Sequence, residues 1–544
     1  MYPMHRTNPD IETRRSHTIR HLAFLLLLFC STKVFPIDSN QLVQHQLQVE
    51  ILPAQGQLIA TDRITLDTAD HTFEFLLHAA LTPTLVDEDA SLVARELLAG
   101  PVPIRRYQIQ ASSPRKTFTL AYHGTVAHAL TVTGEPGSNR ESTPGLISKN
   151  GVFLAGSSYW YPQIGNARVG FTLQLKLPAG WRSVSQGNHL PDHAGWEEQH
   201  PQEEIYLVAY PYRYYHRQAA GHLAEVYLRQ PDQQLAERYL DATLEYLTLY
   251  EQLLGPYPYA KFALVENFWE SGYGMPSFTL LGPRVIKLPF IIHTSYPHEV
   301  LHNWWGNGVY VDASSGNWSE GLTTYQADHL LQEQQGSGAE YRRTTLQNYT
   351  HYVARQDDFP LVQFRGNHGQ ISQSVGYGKT LMLFHMLRMQ LGDQLFLQGL
   401  RQFYHNYRFR AAGFDELRDT FESVTGLPLD TFFRQWLRRT GAPMLKLAST
   451  ETSTTSQGYR LRIRIEQIQP EAPFQLQVPL FVHFSGGERA TPYRARIQSS
   501  EPKRKEEREE EGVCLKKKKK SKRMVNTCVK VGVGSKQPQK EQEI

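Results

Sequence analysis

The sequence predicts a multidomain α+β protein: an N-terminal antiparallel β domain, a mostly helical central domain, a small C-terminal β-sandwich and a disordered charged tail. Three observations predict it. Apolar and polar residues alternate with a period of two from about residue 42 to 215. They recur at helical spacing from about 232, and alternation returns after Gly441-Ala-Pro443. A chain of 544 residues is too long for one ordinary domain, and 40% hydrophobic with 20% charged residues is enough to fill large cores. The 28 Tyr, 25 Phe and 8 Trp suit packed β-structure, but they suit any large core as well.

Residues 1–36 read as a signal peptide and leader. Arg14, Arg15 and Arg20 precede the apolar run Leu22–Phe29, which is far too short to span a bilayer but fits the core of a secretory signal. Export to the periplasm or the extracellular space is expected, with no transmembrane helix in the mature chain. Lipid anchoring through Cys30 is disfavoured by the bulky Phe29 before it. The β domain is set at 37–215, because Gln46–Leu52, Thr117–Tyr122 and Gly170–Leu177 alternate between Gly, Pro and Asp clusters.

The central domain is set at 216–440. Leu235, Tyr239, Leu240, Leu244, Leu247 and Tyr250 mark its first helix, which stops at Gly255-Pro-Tyr-Pro258. Further helices are expected near 297–307, 319–334, 339–356, 378–391, 393–406, 414–425 and 429–439. Gly458–Glu466 and Phe474–Phe484 alternate again, which places a partial β-sandwich at 441–500. Residues 501–544 carry 14 basic and 8 acidic groups with little to bury, and they read as a disordered tail or as the product of a shifted reading frame. The remaining 500 residues have 43 basic and 45 acidic groups, so the body is no polyanion binder and no nucleic-acid partner is expected. Cysteine is absent between Cys30 and Cys514, so a metal in the body must use His and carboxylate.

The informative stretch is Tyr296-Pro-His-Glu-Val-Leu-His-Asn-Trp-Trp-Gly-Asn307. Residues four apart share a helix face, so His298 and His302 can present two nitrogens to one ion, while Glu299 sits beside it as a base. Thr294 or Ser295 can cap this helix, and Pro297 fits its first turn. Asn317–Tyr325 then places Glu320 on a second helix, 18 positions after His302. Two imidazoles and one carboxylate leave a divalent zinc net positive with a position open for water, although other divalent metals suit such donors.

With these residues the chain resembles the gluzincin aminopeptidase N family, which also includes leukotriene hydrolase. Leu254-Gly-Pro-Tyr-Pro258, Trp304-Trp-Gly-Asn307, Val375-Gly-Tyr-Gly-Lys379 and the Phe432–Pro443 ending are similar to the family's, and the likeness covers about residues 150–445. It implies a thermolysin-like catalytic domain, one zinc per chain and peptide substrates. It also implies that Tyr377 donates a hydrogen bond to the oxyanion, where one preorganised donor is worth roughly 3 kcal/mol. Glu299 would take a proton from water and hand it to the leaving amine.

Two departures stand out. The His302–Glu320 spacing is one residue shorter than the family's, and a loop at Ala313–Gly316 could absorb the difference. In place of Gly-x-Met-Glu-Asn the chain has Gly274 and Met275 followed by Pro276, so the glutamate that pairs with a substrate's α-amine is missing. Glu266 or Glu270 would have to replace it, unless both are ordinary structural charges. The aromatic segment Gly156–Pro162 fits a substrate subsite or core packing. Asp328, eight residues beyond Glu320, reads first as a solvated helix charge and second as a partner for a zinc histidine. The expected function is that of an exported zinc peptidase. The alternatives are a noncatalytic zinc-binding scaffold of the same fold and a zinc hydrolase of non-peptide substrates.

Overall fold

A computed structural model describes residues 41–133, 140–455, 458–483, 491–497, 513–516 and 530–533. The first strands are β1 (Leu42–Leu52), β2 (Gln57–His78), β3 (Leu81–Leu85), β4 (Ala90–Leu98) and β5 (Ile104–Thr125). After the small hairpin β6 (Thr131–Thr133) and β7 (Arg140–Ser142) come β8 (Gly145–Ser148), β9 (Gly151–Leu154), β10 (Arg168–Lys176), β11 (Arg182–Val184), β12 (Asn188–His189), β13 (Gly195–Gln202) and β14 (Leu207–Tyr210). An eight-stranded sheet in the order β12-β13-β10-β1-β2-β5-β3, with β4 paired to β5, faces a four-stranded sheet, β11-β14-β9-β8. Alternation does what period two dictates: Leu47, Val49 and Ile51 of β1 are buried and the residues between them are not.

The large sheet is not wholly antiparallel, because β1 and β10 run parallel with Leu47 opposite Leu173. The chain leaves β5, builds β8 and β9 of the second sheet, and only then returns beside β1. A long crossover of this kind permits parallel entry, which a tight hairpin cannot.

A five-stranded mixed sheet follows, β15 (Arg213–Ala219), β16 (His222–Leu228), β17 (Lys261–Glu266), β18 (Gly272–Met275) and β19 (Phe278–Leu281), in the order β15-β16-β17-β19-β18. Helical periodicity downstream gave no sign of it. Its two faces serve two cores. Ala263 and Val265 of β17 pack with the β sheets, while Phe262 and Leu264 pack with the helices. Strand β17 is buried along its whole length, and its middle, Phe262–Val265, is apolar without alternation.

Helix α1 (Gln233–Leu254) begins where Asp232 accepts a hydrogen bond from the Leu235 N–H, and it covers the mixed sheet. Helix α2 (Ser295–Leu301) is shorter than the stretch expected to 307. Thr294 and Ser295 do not cap it, and the Thr294 hydroxyl turns back to the Phe290 carbonyl. Helix α3 (Ser319–Thr324) continues through a π turn, Tyr325–His329, into α4 (Leu330–Gln334). After α5 (Gly338–Tyr352), α6 (Gln370–Ser372) likewise runs through a π turn, Gln373–Lys379, into α7 (Thr380–Leu391). Tyr377 therefore lies inside a continuous helix and not at the start of one. Helices α8 (Asp393–Tyr407), α9 (Phe414–Thr425) and α10 (Asp430–Arg438) complete the layer. The short pair β20 (Tyr310–Val311) and β21 (Ala411–Ala412) ties it back to the segment after α2.

The last strands are β22 (Leu445–Thr455), β23 (Gly458–Gln467), β24 (Leu476–His483), β25 (Thr491–Ile497), β26 (Val513–Lys516) and β27 (Lys530–Val533). They form two three-stranded sheets, β22-β23-β26 and β25-β24-β27. Trp436 stacks on Phe474 at 5.0 Å and joins them to α10. Two short strands thus stand within a region that reads as wholly disordered, because Val- and Leu-containing stretches there pair with open strand edges. The expected leader, Cys30 and most of the tail, including any shifted frame, lie outside the described residues.

Helix α3 crosses the Gln373–Thr380 region at a distance only glycine allows. A Cβ on Gly321 would sit 2.3 Å from the Thr380 Cβ and 3.2 Å from the Gly376 carbonyl oxygen. Gly321→Ala should therefore lower stability by about 1–3 kcal/mol. Chemical denaturation would show it, and an unchanged midpoint would refute the close crossing.

Candidate metal centre

Helix α2 places His298 on its last turn and His302 immediately after its end. Their rings lie 4.8 Å apart, centroid to centroid, at 77°. The Nε2 atoms of both face one Glu320 carboxylate oxygen, at 3.5 Å from His298 and 3.4 Å from His302. One ligand atom from each of the three side chains lies within 4.8 Å of the others, and among the described residues no other such group of His, Cys, Asp or Glu occurs.

Each imidazole is oriented through its other nitrogen. His298 Nδ1–H donates to Asp328 Oδ2 at 3.2 Å, and His302 Nδ1–H donates to the Trp305 carbonyl at 2.9 Å. Fixing Nδ1 as the protonated atom leaves Nε2 free to bind a metal. Asp328 reaches His298 from the π turn, so its reading as a solvated charge is replaced by that of a histidine partner. The Trp305 carbonyl was not legible beforehand, because a backbone acceptor leaves no residue-type signal.

The electrostatics match this geometry. Burial would lower His298, but Asp328 and Glu320 hold it well above the ordinary imidazole range. Burial likewise works against His302, and Glu320 raises it. Glu320 is held well below the usual carboxylate range, with the two histidines outweighing its burial. The three donors are thus a charged cluster that a divalent cation can take over with release of imidazole protons. Two nitrogens and one oxygen, oriented from behind and partly open to solvent, fit zinc.

Glu299 stands beside this cluster, and burial pushes its carboxyl up against the lowering pull of His298 and His302. Edge strand β18 packs directly on it. A Cβ on Gly274 would come 2.5 Å from Glu299 Oε2 and 3.3 Å from His302 Cδ2. Asn307 Nδ2 donates to the Gly274 carbonyl at 3.5 Å. Met275, by contrast, turns its side chain into the core shared with the β sheets.

Glu266 and Glu270 are occupied elsewhere. Glu266 Oε2 accepts from the Arg229 N–H at 2.7 Å, and Glu270 Oε1 pairs with Arg284 Nε at 2.7 Å. Neither joins the metal cluster, and the structure supplies a different job for each. Tyr377 follows Gly376, whose carbonyl lies against Gly321 next to Glu320. Its ring meets Phe364 edge-on at 5.7 Å. In the aromatic segment, Trp160 and Tyr161 are fully buried and bonded to Ile205, so they are core residues.

Residues 292–436 match the Peptidase family M1 domain, and this stretch contains all three candidate ligands. Among curated proteins, aminopeptidase 2 of Saccharomyces cerevisiae is 23% identical over 270 residues, which is 46% of this chain and 28% of that protein. The alanine/arginine aminopeptidase of the same yeast is 23% identical over 282 residues, 48% of this chain and 33% of that one. The chain thus spans about a third or less of these relatives' length. An M1 zinc metallopeptidase from Deinococcus radiodurans has a similar fold, with a TM-score of 0.55 and 17% identity over 75% of this chain and 94% of that one. Over residues 292–436 the chain is thus similar to the Peptidase family M1 domain, and zinc is the metal that this likeness implies.

Asp328→Ala should weaken zinc binding about 10- to 100-fold by freeing the His298 ring. Competition with a chelator measures this, and wild-type affinity in the variant would contradict the assigned role.

Proposed function

We propose that this protein is an exported zinc-dependent peptidase that hydrolyses peptide bonds, aminopeptidase-like but with altered recognition of the substrate's N-terminal amine. The observation that carries the proposal is the convergence of His298 and His302 Nε2 on Glu320, with Glu299 beside them. Residues 37–215, 216–440 and 441–500 are taken as the β, catalytic and C-terminal domains.

His298, His302 and Glu320 would hold the zinc, which when bound supplies a Lewis acid that polarises a carbonyl and acidifies water. Glu299 receives the proton of the attacking water, a task suited to a carboxyl raised by burial, and returns it to the leaving amine. Tyr377 donates to the carbonyl oxygen as negative charge builds there. A purely structural metal site needs neither group, which weighs against the scaffold reading.

The amine subsite rests on Pro276, which stands where the family's glutamate would be and brings no countercharge. A substrate ammonium entering there would lose water without gaining a partner, at a cost of several kcal/mol. One variant of the Deinococcus enzyme was crystallised with a Tyr-Ser-Ala substrate, so short peptides are the natural first probes.

A panel of short peptides with free and blocked N-termini tests the reading. Wild-type protein should cleave members of it, Glu299→Gln should lose about 10²- to 10⁴-fold in kcat while keeping zinc, and Tyr377→Phe should lose about 10²- to 10³-fold. Cleavage of blocked peptides comparable with free ones supports the altered amine site, and a strict need for a free amine overturns it. Equal rates for wild type and Glu299→Gln would dispose of the enzyme. Export predicts that a secreting host yields a mature chain lacking about its first 36 residues, by mass; an intact N-terminus in the cell lysate would count against it.

A further inference from the structure

The turn between β18 and β19 is Pro276-Ser277, and Ser277 sits at φ 64°, a left-handed conformation that costs a non-glycine residue about 1 kcal/mol or more. Interactions from two sides hold it. Lys261 is 1% exposed, and its ammonium donates to the Ser277 hydroxyl at 2.7 Å, to the Ser277 carbonyl at 3.1 Å and to the Ser185 carbonyl of the β domain at 2.8 Å. From the other side the Ser277 N–H donates to Asn303 Oδ1 at 2.7 Å. Asn303 in turn donates through Nδ2 to the Val300 carbonyl at 3.0 Å and the Glu299 carbonyl at 3.4 Å.

An unbroken chain of hydrogen bonds therefore runs from a buried cation to the backbone of the proposed general base. The same hairpin carries Gly274, which closes on the Glu299 carboxylate. A buried ammonium is expensive to keep, and burial does push Lys261 down to about 7, opposed by Glu225 and Glu198. Three well-directed acceptors offset much of that cost, and all three lie at the seam between the β domain and the hairpin.

We infer that Lys261 is a positioning residue for the hydrolytic site: acting through Ser277 and Asn303, it fixes the β18–β19 hairpin against helix α2, and so fixes where Gly274 meets Glu299. The inference rests on the peptidase reading for its activity test but not for its structural one. Lys261 contacts Ser185, Ser277, Trp196 and Phe278 and none of the three candidate metal ligands. It acts by setting the distance between two elements that the reaction needs at van der Waals contact, where a displacement near 1 Å can cost about 10²-fold.

The test uses zinc-loaded full-length protein and three variants: Lys261→Met, Ser277→Gly, which keeps the left-handed turn but removes the hydroxyl, and the two combined. Expected are unchanged zinc content, KM within a few-fold of wild type, and kcat reduced about 10- to 100-fold in Lys261→Met. A smaller fall is expected in Ser277→Gly, and the double variant should be no worse than Lys261→Met alone. Wild-type kcat per zinc-loaded molecule in both single variants would overturn the inference, as would a loss that merely follows loss of zinc. If Lys261→Met does not fold, Ser277→Gly decides the matter by the same criteria. If wild type cleaves no peptide, the functional reading falls separately. The crystal structure of Ser277→Gly then decides the inference: a hairpin shifted from Glu299 supports it, and one superimposable on wild type ends it.

Discussion

Two imidazole nitrogens and one carboxylate oxygen held within 4.8 Å of one another constrain everything built around them. Unpaired, such groups would be costly to withdraw from water, and nothing apolar could hold them together. The fold meets the constraint by fixing each ring at its far nitrogen, with Asp328 behind His298 and the Trp305 carbonyl behind His302. It also brings α3 against the helix carrying Tyr377 through a contact at Gly321 that leaves no room for a side chain. Both long helices pass through a π turn at this level, which is where such turns are often found at functional sites.

The sheet β15–β19 sets the site at a boundary. One face belongs to the β-domain core and the other to the helical core, so its edge strand β18 lies where the two meet, beside Glu299. Motifs that look unrelated in sequence become one packing unit there. Trp304 Nε1 donates to the Gly255 carbonyl, Tyr257 packs on Trp304 at 5.3 Å, and Tyr404 donates to the Pro256 carbonyl. Leu254–Pro258 and Trp304 thus brace the end of helix α2, while the Trp305 carbonyl next to them orients His302.

The pairing of His298 with His302 was legible in the sequence because four-residue spacing on a helix is geometry written directly into residue order, whereas Glu320 was reached through the Asn317–Tyr325 stretch. Strand alternation was equally direct in β1 and β10, though their parallel pairing was not, since register between distant strands depends on how the intervening chain crosses. The mixed sheet was hidden because a fully buried strand such as β17 has no alternation to show. The end of α2 at Leu301 was missed because Trp304 and Trp305 continue an apolar pattern after the backbone has left the helix. Asp328 could be seen but not ranked, since a π turn changes which residues of a helix share a face. For Glu266 and Glu270 residue type could not separate a replacement amine-binding carboxylate from an ordinary structural charge, since their partners, an amide of Arg229 and the side chain of Arg284, are set by the fold.

Elemental analysis of the purified chain, joined to X-ray absorption at the metal edge, addresses the central claim most directly. One zinc per chain is expected, coordinated by two imidazole nitrogens and a carboxylate oxygen, with the imidazole signal reduced in His298→Ala and His302→Ala. A chain that retains no metal and cannot be loaded, or whose metal environment is unchanged in both variants, would contradict it.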